Sequence, residues 1–497
     1  MINYKNLIVL FTIILIGFTA QAQNIRFIHS GFKLESTNPD ISNFELSDKR
    51  YIFYESENIH AHLRVDLQVN LYDMEGNPKN TFRIDPGAKT AEPNYFEGLF
   101  PVGDQLILFK SGYDTKTKTT NLYAYTIEDD GTKGEARIIA SIKAQGLFNT
   151  GSFQLATSPD KQMVILLSNL PHERKLNEKL KLTIFDAALN TIKEKQIELP
   201  YPSKKARTNA IFINNTAMVF LLKRVKGKKS IPDRDIVHTF SPDLNAINTK
   251  EHSIGTKGVI SSYKTLFNTN GELMIGGMYY DFKKSGVNIE DPDGVFLTRC
   301  NEKGELISTF NVNQFTRSWQ TNQLIATTDG AYYLLSEKAA MEKETVGDAT
   351  APTTNEHFTN KDAMVYKFDN QQKIAWSYLV ERDELKSTND GAKANRVWAG
   401  LLPNNQLMLV YRDAYARHDG KEHKVVTYPM TTWTSYVLET LGTDGKVAKS
   451  TTITNPTIAG PSGSTLLIPQ SGKIIGDTLH IIGFQANDLI SVVISEL

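Results

Sequence analysis

One pattern governs what this chain can fold into: a strand, a tight polar turn and a second strand, recurring along nearly its whole length. Copies read LYDMEGNPKNTF from Leu71, YTIEDDGTKGEA from Tyr125, TIFDAALNTIKE from Thr183 and HTFSPDLNAINT from His238. Three more follow: TRCNEKGELIST from Thr298, YKFDNQQKIAWS from Tyr366 and ETLGTDGKVAKS from Glu439. Their turns begin 55 to 73 residues apart. Between them lies a second hairpin, in which a short apolar strand meets a polar turn and then a strongly apolar strand. It appears eight times, for example as SFQLATSPDKQMVILL from Ser152, NAIFINNTAMVFLL from Asn209 and NQLIATTDGAYYLL from Asn322. Asp, Asn, Pro and Gly fill the turns because they preset φ or bond back to the local backbone. The alternating apolar residues on either side read as strands packed on at least one face.

Two hairpins in series make a four-stranded antiparallel sheet, and such sheets at near-constant spacing are the mark of a β-propeller. The count supplies an internal check. Eight inner hairpins against seven outer ones leave the last sheet one strand short. The segment from Ile25 to Leu34 is an unassigned strand that can fill the gap. The expected fold is all-β: an eight-bladed propeller of four-stranded antiparallel blades, closed by pairing the N-terminal strand of the mature chain with the C-terminal blade. Such closure removes the open edge that invites aggregation. Seven blades is the alternative, if the C-terminal strands complete the first blade instead. Large helices are not expected.

The N-terminus reads as an export signal. Lys5 precedes the apolar run Leu7 to Phe18, and Ala20 and Ala22 present small side chains for cleavage before Gln23. Twelve apolar residues are too few to cross a bilayer core about 30 Å thick. Residues 1–22 are therefore expected to be a signal peptide and 23–497 a single propeller domain without a transmembrane segment. With no Cys near the cleavage site the product is not expected to be a lipoprotein, and periplasmic or extracellular locations both stay open. Cys300 is the only cysteine, so no intrachain disulfide can form. Its strand-like setting reads as a small buried hydrophobe rather than a nucleophile. Lys and Arg together number 55, as do Asp and Glu, so the chain lacks the basic excess that binding to nucleic acid requires.

The hairpin turns fall on one face of a propeller and the connections between second and third strands on the other. The long insertions are all of the second kind: Leu170 to Glu178, Lys223 to Asp235, Asp281 to Gly294, Ser336 to Lys361 and Arg412 to Trp433. Long loops on a rigid scaffold are where binding residues concentrate. Candidate binding residues are therefore Lys223, Arg224, Lys226 and Lys228 in a basic loop, and Asp291 and Asp293 in an acidic one. His418 and His423 join them from the last insertion, with Tyr428 and Trp433, aromatics suited to stacking. The stretch Glu342 to Lys361 reads as a flexible flap. Trp398 reads as inter-blade core.

Catalytic and metal signatures are sparse. His418 to His423 carries two His and two carboxylates, but on a loop, without the helical register that makes such spacing specific for a metal. Asp291-Pro292-Asp293-Gly294 opens like a calcium loop and lacks the closing carboxylate. No metal site is assigned, and no cofactor is implied beyond that fragment's hint of calcium. Gly460-Pro461-Ser462-Gly463-Ser464 has neither the spacing nor the following helix of a nucleophile elbow. Catalytic residues stay unassigned.

The segment Lys367 to Trp376, an Asp turn leading to a Trp, resembles the outer hairpin of quinoprotein-like propellers, where the Trp docks between blades. The likeness is one of architecture, and the chain is similar in this to secreted propeller proteins of Gram-negative bacteria. The sequence thus points to an exported propeller scaffold that binds a protein, peptide or glycan through its long-loop face. Two alternatives stand beside it: a hydrolase or lyase of extracellular polysaccharide or peptide with its site at the channel, and a structural component of a cell-envelope assembly.

Overall fold

In the computed structural model, the described residues are 25–33, 40–46, 48–58, 64–84, 95–146, 148–173, 176–227, 234–251, 258–281, 292–312, 319–346, 353–382, 385–388, 396–413, 417–418, 421–422, 435–453, 465–485 and 488–495. Residues 1–22, expected to be a signal peptide, lie outside them.

Eight four-stranded antiparallel sheets follow one another along the chain. Blade 1 comprises Asp40–Leu46, Lys49–Asn58, Arg64–Asp73 and Pro78–Ile84. Blade 2 comprises Tyr95–Val102, Gln105–Asp114, Thr119–Ile127 and Arg137–Lys143, and blade 3 Ser152–Thr157, Met163–Asn169, Asn177–Asp186 and Thr191–Pro202. Blade 4 is Ala206–Ile213, Val219–Val225, Arg234–Phe240 and Ala246–Glu251; blade 5 is Gly258–Phe267, Leu273–Asp281, Gly294–Cys300 and Leu306–Val312. Blade 6 is Trp319–Ala326, Tyr332–Val346, Thr353–Phe368 and Ile374–Val380; blade 7 is Trp398–Leu401, Leu407–Asp413, Ser435–Leu441 and Val447–Ile453. Blade 8 takes Thr465–Ile475, Thr478–Gln485 and Asp488–Ile494 from the C-terminus. Its fourth strand is Ile25–Lys33, which pairs antiparallel with Asp488–Ile494 from Ile25↔Ile494 onward. Eight blades and closure through the N-terminal strand are as the hairpin count required. No helix of the described residues is long and apolar enough to cross a membrane.

At seven of the eight junctions the first strands of successive blades touch one another, so they form the inner wall of the ring. Apolar side chains of neighbouring blades interlock between the sheets. Between blades 3 and 4, for example, Leu167, Leu182 and Ile184 meet Ile213, Val219 and Leu221, all of them fully buried. Trp398 lies in the same kind of cluster between blades 7 and 8. Cys300 belongs to the blade 4–5 cluster, and burial pushes its thiol up to about 11, the state of an inert small hydrophobe.

The turns explain the repeat. A side-chain oxygen at the first turn position accepts backbone N–H groups two and four residues on. Asp186 bonds Ala188 and Asn190 at 2.9 and 2.8 Å, and Asn301 bonds Lys303 and Glu305 at 3.0 Å each. Inner hairpins use the same device at Asn214 and Asn268. The fourth turn residue then takes positive φ, satisfied by Gly76 and Gly304 in two outer turns but by Leu189, Leu244 and Gln372 in three others. A leucine at φ 57° costs about 1–2 kcal/mol. Leu244 offsets that by burying its side chain completely in the blade 3–4 cluster, a gain of about 2 kcal/mol.

Blade 6 corrects one reading. The stretch expected as a flexible flap continues the second and third strands, paired from Ala339↔Asn360 to Val346↔Thr353. A further strand, Leu385–Thr388, adds to its edge at His357 to Asn360. The sequence here is polar on both faces, which hides a hairpin that pairs beyond the body of its blade.

Candidate functional site at the channel and long-loop face

Because strands alternate in direction, the second-to-third connections and the joins between blades share one face. The ends of the second and third strands of blades 3 to 7 therefore open on that face. Of the candidate residues, Lys228, Asp291, His423, Tyr428 and Trp433 lie outside the described residues. His418 has a described backbone in the two-residue strand Arg417–His418, paired with Lys421–Glu422. Asp293 is half-buried where blade 5's third strand begins, and its N–H donates to the Tyr279 carbonyl at 2.8 Å. Lys226 is exposed just beyond strand Val219–Val225.

Lys223 and Arg224 are not loop residues. Both lie within Val219–Val225, where Lys223 is fully buried. Its ammonium donates to Glu178 Oε1 and Thr208 Oγ1, each at 2.8 Å. Arg224 makes a two-pronged bond to Asp235, 2.9 Å from each oxygen, and a third to the Ile260 carbonyl at 3.2 Å. Burial opposes both charges of the Lys223–Glu178 pair, lowering the lysine and raising the glutamate. These residues join blades 3, 4 and 5, and the basic loop they were read into begins only after them. A signal existed: second strands run four apolar residues and then a small or polar one, Ser168 in blade 3 and Ser336 in blade 6, and Lys110 and Lys223 fill that place in blades 2 and 4.

The inner wall holds residues that sequence reading missed. The first strands of blades 2, 4, 5 and 6 each carry a bulge, leaving Glu97, Asn209, Ser261 and Asn322 out of register. Bulges break the alternation of a strand and re-aim side chains, which is why they recur beside functional sites. In blade 5 the bulge depends on glycine, since a Cβ on Gly277 would lie 2.1 Å from the Ser262 carbonyl oxygen.

Polar side chains staple one inner strand to the next. Ser262 Oγ donates to Thr321 Oγ1 at 3.0 Å and accepts the Thr321 N–H at 2.9 Å, linking blades 5 and 6. Asn322 donates to the Val397 carbonyl at 2.6 Å. Gln323 both donates to the Ala399 carbonyl and accepts its N–H, at 3.1 and 2.7 Å, linking blades 6 and 7.

Charged groups sit on or beside these inner strands. Glu97 is desolvated, which raises its carboxyl above the usual range although Ser111 donates to it. Lys264 is exposed on the inner strand of blade 5, yet desolvation lowers its ammonium, and the positive charge of Arg396 lowers it further. Arg396 also bears on Glu337, a fully enclosed carboxylate bonded to Arg382 and to the Val397 N–H. Among the described residues neither Lys264 nor Arg396 makes an ion pair or a side-chain hydrogen bond. No group of three or more His, Cys, Asp or Glu converges as a metal site among the described residues.

A cavity of about 410 Å³ opens on the opposite, short-turn face between blades 1 and 2. Two of its four carboxylates are paired, Asp129 with Lys49 and Tyr51 and Asp73 with Lys79 at 2.9 Å.

No family model matches the chain, and no curated protein does. Among solved structures it is similar to the α-L-arabinanase of Penicillium chrysogenum complexed with arabinobiose, at 12% identity and a TM-score of 0.39, covering 63% of this chain and 92% of that one. It is similar to the WD40 domain of SCAP from fission yeast at 9% identity and a TM-score of 0.38, over 96% and 95% of the two chains. The β-propeller domain of the Trilobed protease from Pyrococcus furiosus gives 8% identity and a TM-score of 0.33, over 70% and 97%. Likenesses this distant add nothing to the strand order already described, and what the chain does has to be argued from its own site.

Proposed function

We propose that this chain is an exported binding scaffold that takes a protein, peptide or glycan partner at its long-loop face, centred on the mouth of the channel. What supports the reading is coincidence of place: the second and third strands of blades 3 to 7 end on the face where four inner strands begin, and these break register near that end at Glu97, Asn209, Ser261 and Asn322. A rigid ring with variable loops on one side is a common way to hold a recognition surface. Hydrogen exchange tests it. The protein is incubated with panels of oligosaccharides and peptides, and binders are mapped by amide protection. Protection at the insertions and bulged strands is expected; protection confined to the short-turn face would overturn the reading.

Export rests on the leader, residues 1–22. N-terminal sequencing of the protein recovered outside the cytoplasm is expected to begin at Gln23.

A second reading, hydrolysis or elimination at the channel, is favoured by Glu97. A carboxyl raised by burial suits a general acid. Release of reducing ends or unsaturated products from a polysaccharide panel, abolished in Glu97→Gln, is its expected result. An absence of product across the panel would sink it.

A further inference from the structure

Whatever partner the channel mouth takes, we infer that the long-loop face of blades 2 to 4 docks on an anionic lipid bilayer, with Phe148 entering the interface and a set of lysines facing the lipid phosphates. Hydrogen bonds sew the successive connections of these blades into one ledge. The Ala144 N–H, just past the last strand of blade 2, donates to the Lys118 carbonyl at 3.0 Å in that blade's second-to-third turn. In the join to blade 3, the Asn149 amide donates to the His172 carbonyl and its oxygen accepts the His172 N–H, each at 2.9 Å. The Leu176 carbonyl accepts the Ser203 N–H at 3.2 Å in the join to blade 4, and the Lys205 carbonyl accepts the Lys226 N–H at 2.7 Å. Loops ordered against one another in this way lose their conformational freedom before any partner arrives.

Positive charge and exposed apolar groups meet on this ledge. Lys116, Lys118, Lys143, Lys204, Lys205 and Lys226 are all exposed, and among the described residues none of their ammonium groups makes an ion pair or a hydrogen bond. The carboxylates around them are committed. Glu173 pairs with Lys179 at 3.1 Å, Glu178 with Lys223 and Asp235 with Arg224. Asp114 accepts the Lys116 and Thr117 N–H groups of its own turn at 2.8 and 3.3 Å. Phe148 stands fully exposed in a tight turn closed by the Gln145 N–H on the Asn149 carbonyl, and Leu176, nearly half exposed, lies on the neighbouring connection. Exposed aliphatic side chains elsewhere sit singly on fourth strands, one to a blade from blade 2 to blade 7.

An apolar ring among unpaired ammonium groups matches the boundary of an anionic bilayer, where apolar area enters the acyl region while cations near the surface are drawn to lipid phosphate. A sugar stacked on the ring would need neutral hydrogen-bonding groups beside it. Those next to Phe148 are occupied: Asn149, already bonded to the His172 backbone, also meets the His172 ring at 2.9 Å and Gln145 at 3.4 Å.

The test is flotation of the mature protein with vesicles of phosphatidylcholine alone, and of phosphatidylcholine and phosphatidylglycerol at roughly two to one. Binding to the anionic vesicles only is expected, weakened steadily by salt. Lys204→Gln/Lys205→Gln and Phe148→Ser should each weaken it by about tenfold or more, and Phe148→Trp should hold it within about threefold of the wild type. Thermal melts of these variants should match the wild type, since the three side chains are exposed. Hydrogen exchange on the vesicles should protect residues 143–149 and 202–206. No binding to anionic vesicles, equal binding to neutral ones, or unchanged affinity in both weakening variants would overturn the inference. Polygalacturonate and polyglutamate serve as soluble polyanions; if the binding of either falls as far in Phe148→Ser as vesicle binding does, the ledge belongs to that polymer and the lipid assignment is overturned. Absent vesicle binding, with another ligand protecting the bulged inner strands, would remove this inference and leave the binding face proposed above standing.

Discussion

Replacing Lys223 with methionine tests whether the buried Lys223–Glu178 pair bears weight between blades 3 and 4. Methionine keeps the length and packing of the lysine stem while deleting the ammonium. What remains is a carboxylate whose side chain is 11% exposed and whose chief partner is gone. Breaking one half of a buried pair costs about 3–5 kcal/mol. The cost must depend on pH, because Glu178 can escape it by taking a proton. Its carboxyl is raised by burial even with Lys223 present, and losing Lys223 raises it further. The folded variant then holds a proton that the unfolded chain has released, so its stability rises as pH falls toward the unfolded carboxylate range and drops as pH climbs through the folded value. His238 pushes the same way, since Lys223 helps burial hold its imidazole down and the variant relieves that effect. Urea denaturation of wild type and variant at pH 5 and pH 8 is the assay. A deficit of about 3–5 kcal/mol at pH 8, clearly smaller at pH 5 and largely recovered in Glu178→Gln/Lys223→Met, is expected. A deficit equal at the two pH values, or below about 1 kcal/mol at pH 8, would refute the argument that an uncompensated charge is what the variant suffers.

Other consequences can be checked on the same protein. Gln372 holds positive φ and has a buried amide oxygen without a hydrogen bond, so Gln372→Gly should stabilise by about 1 kcal/mol. Leu244→Gly at the equivalent position should instead destabilise by about 2 kcal/mol, since it gives up a fully buried side chain; thermal melts of the pair with the same sign would contradict this account of the turns. His238 and His480 are buried neutral, each held down to about 4 chiefly by desolvation. The unfolded chain takes up those protons below about pH 6.5, so stability should fall between pH 6.5 and 4, by up to about 3 kcal/mol per histidine, and His480→Phe should remove part of the slope. A flat wild-type profile in denaturation across that window would count against it. Deleting residues 1–33 bares the edge of Asp488–Ile494, whose Ile490, Val492, Val493 and Ile494 are buried in the closed ring. The truncated protein should melt earlier and self-associate, and a peptide spanning Ile25–Lys33 added in trans should reverse both; a monomeric truncation with an unchanged melting temperature would refute closure by that strand.

Architecture was readable because the turn chemistry repeats. A polar oxygen at the first turn position and positive φ at the fourth leave a periodic trace in the sequence, and the trace survives where Leu189 or Leu244 replaces glycine because the flanking strands still alternate. Trp376 also declared itself: its indole donates to the Thr443 carbonyl at 2.9 Å, docking blade 6 against blade 7. The site was less readable. Lys223 and Lys226 look alike in a run of basic residues, and only register separates the buried one from the exposed one.

The inner wall also shows how to tell polarity that holds the ring from polarity that is left for a ligand. Between blades the sheets pack apolar clusters against one another, whereas inner strands are tied side to side by polar groups. They need lateral hydrogen bonds, and Ser262, Thr321, Asn322 and Gln323 supply them. A polar channel is therefore expected of such a ring whatever it does, and amides or hydroxyls there are no sign of a binding site. Cations are different. A staple needs a neutral group that both donates and accepts, as Gln323 does with Ala399, whereas an ammonium or guanidinium only donates. By that reasoning Asn322 and Gln323 belong to the fold.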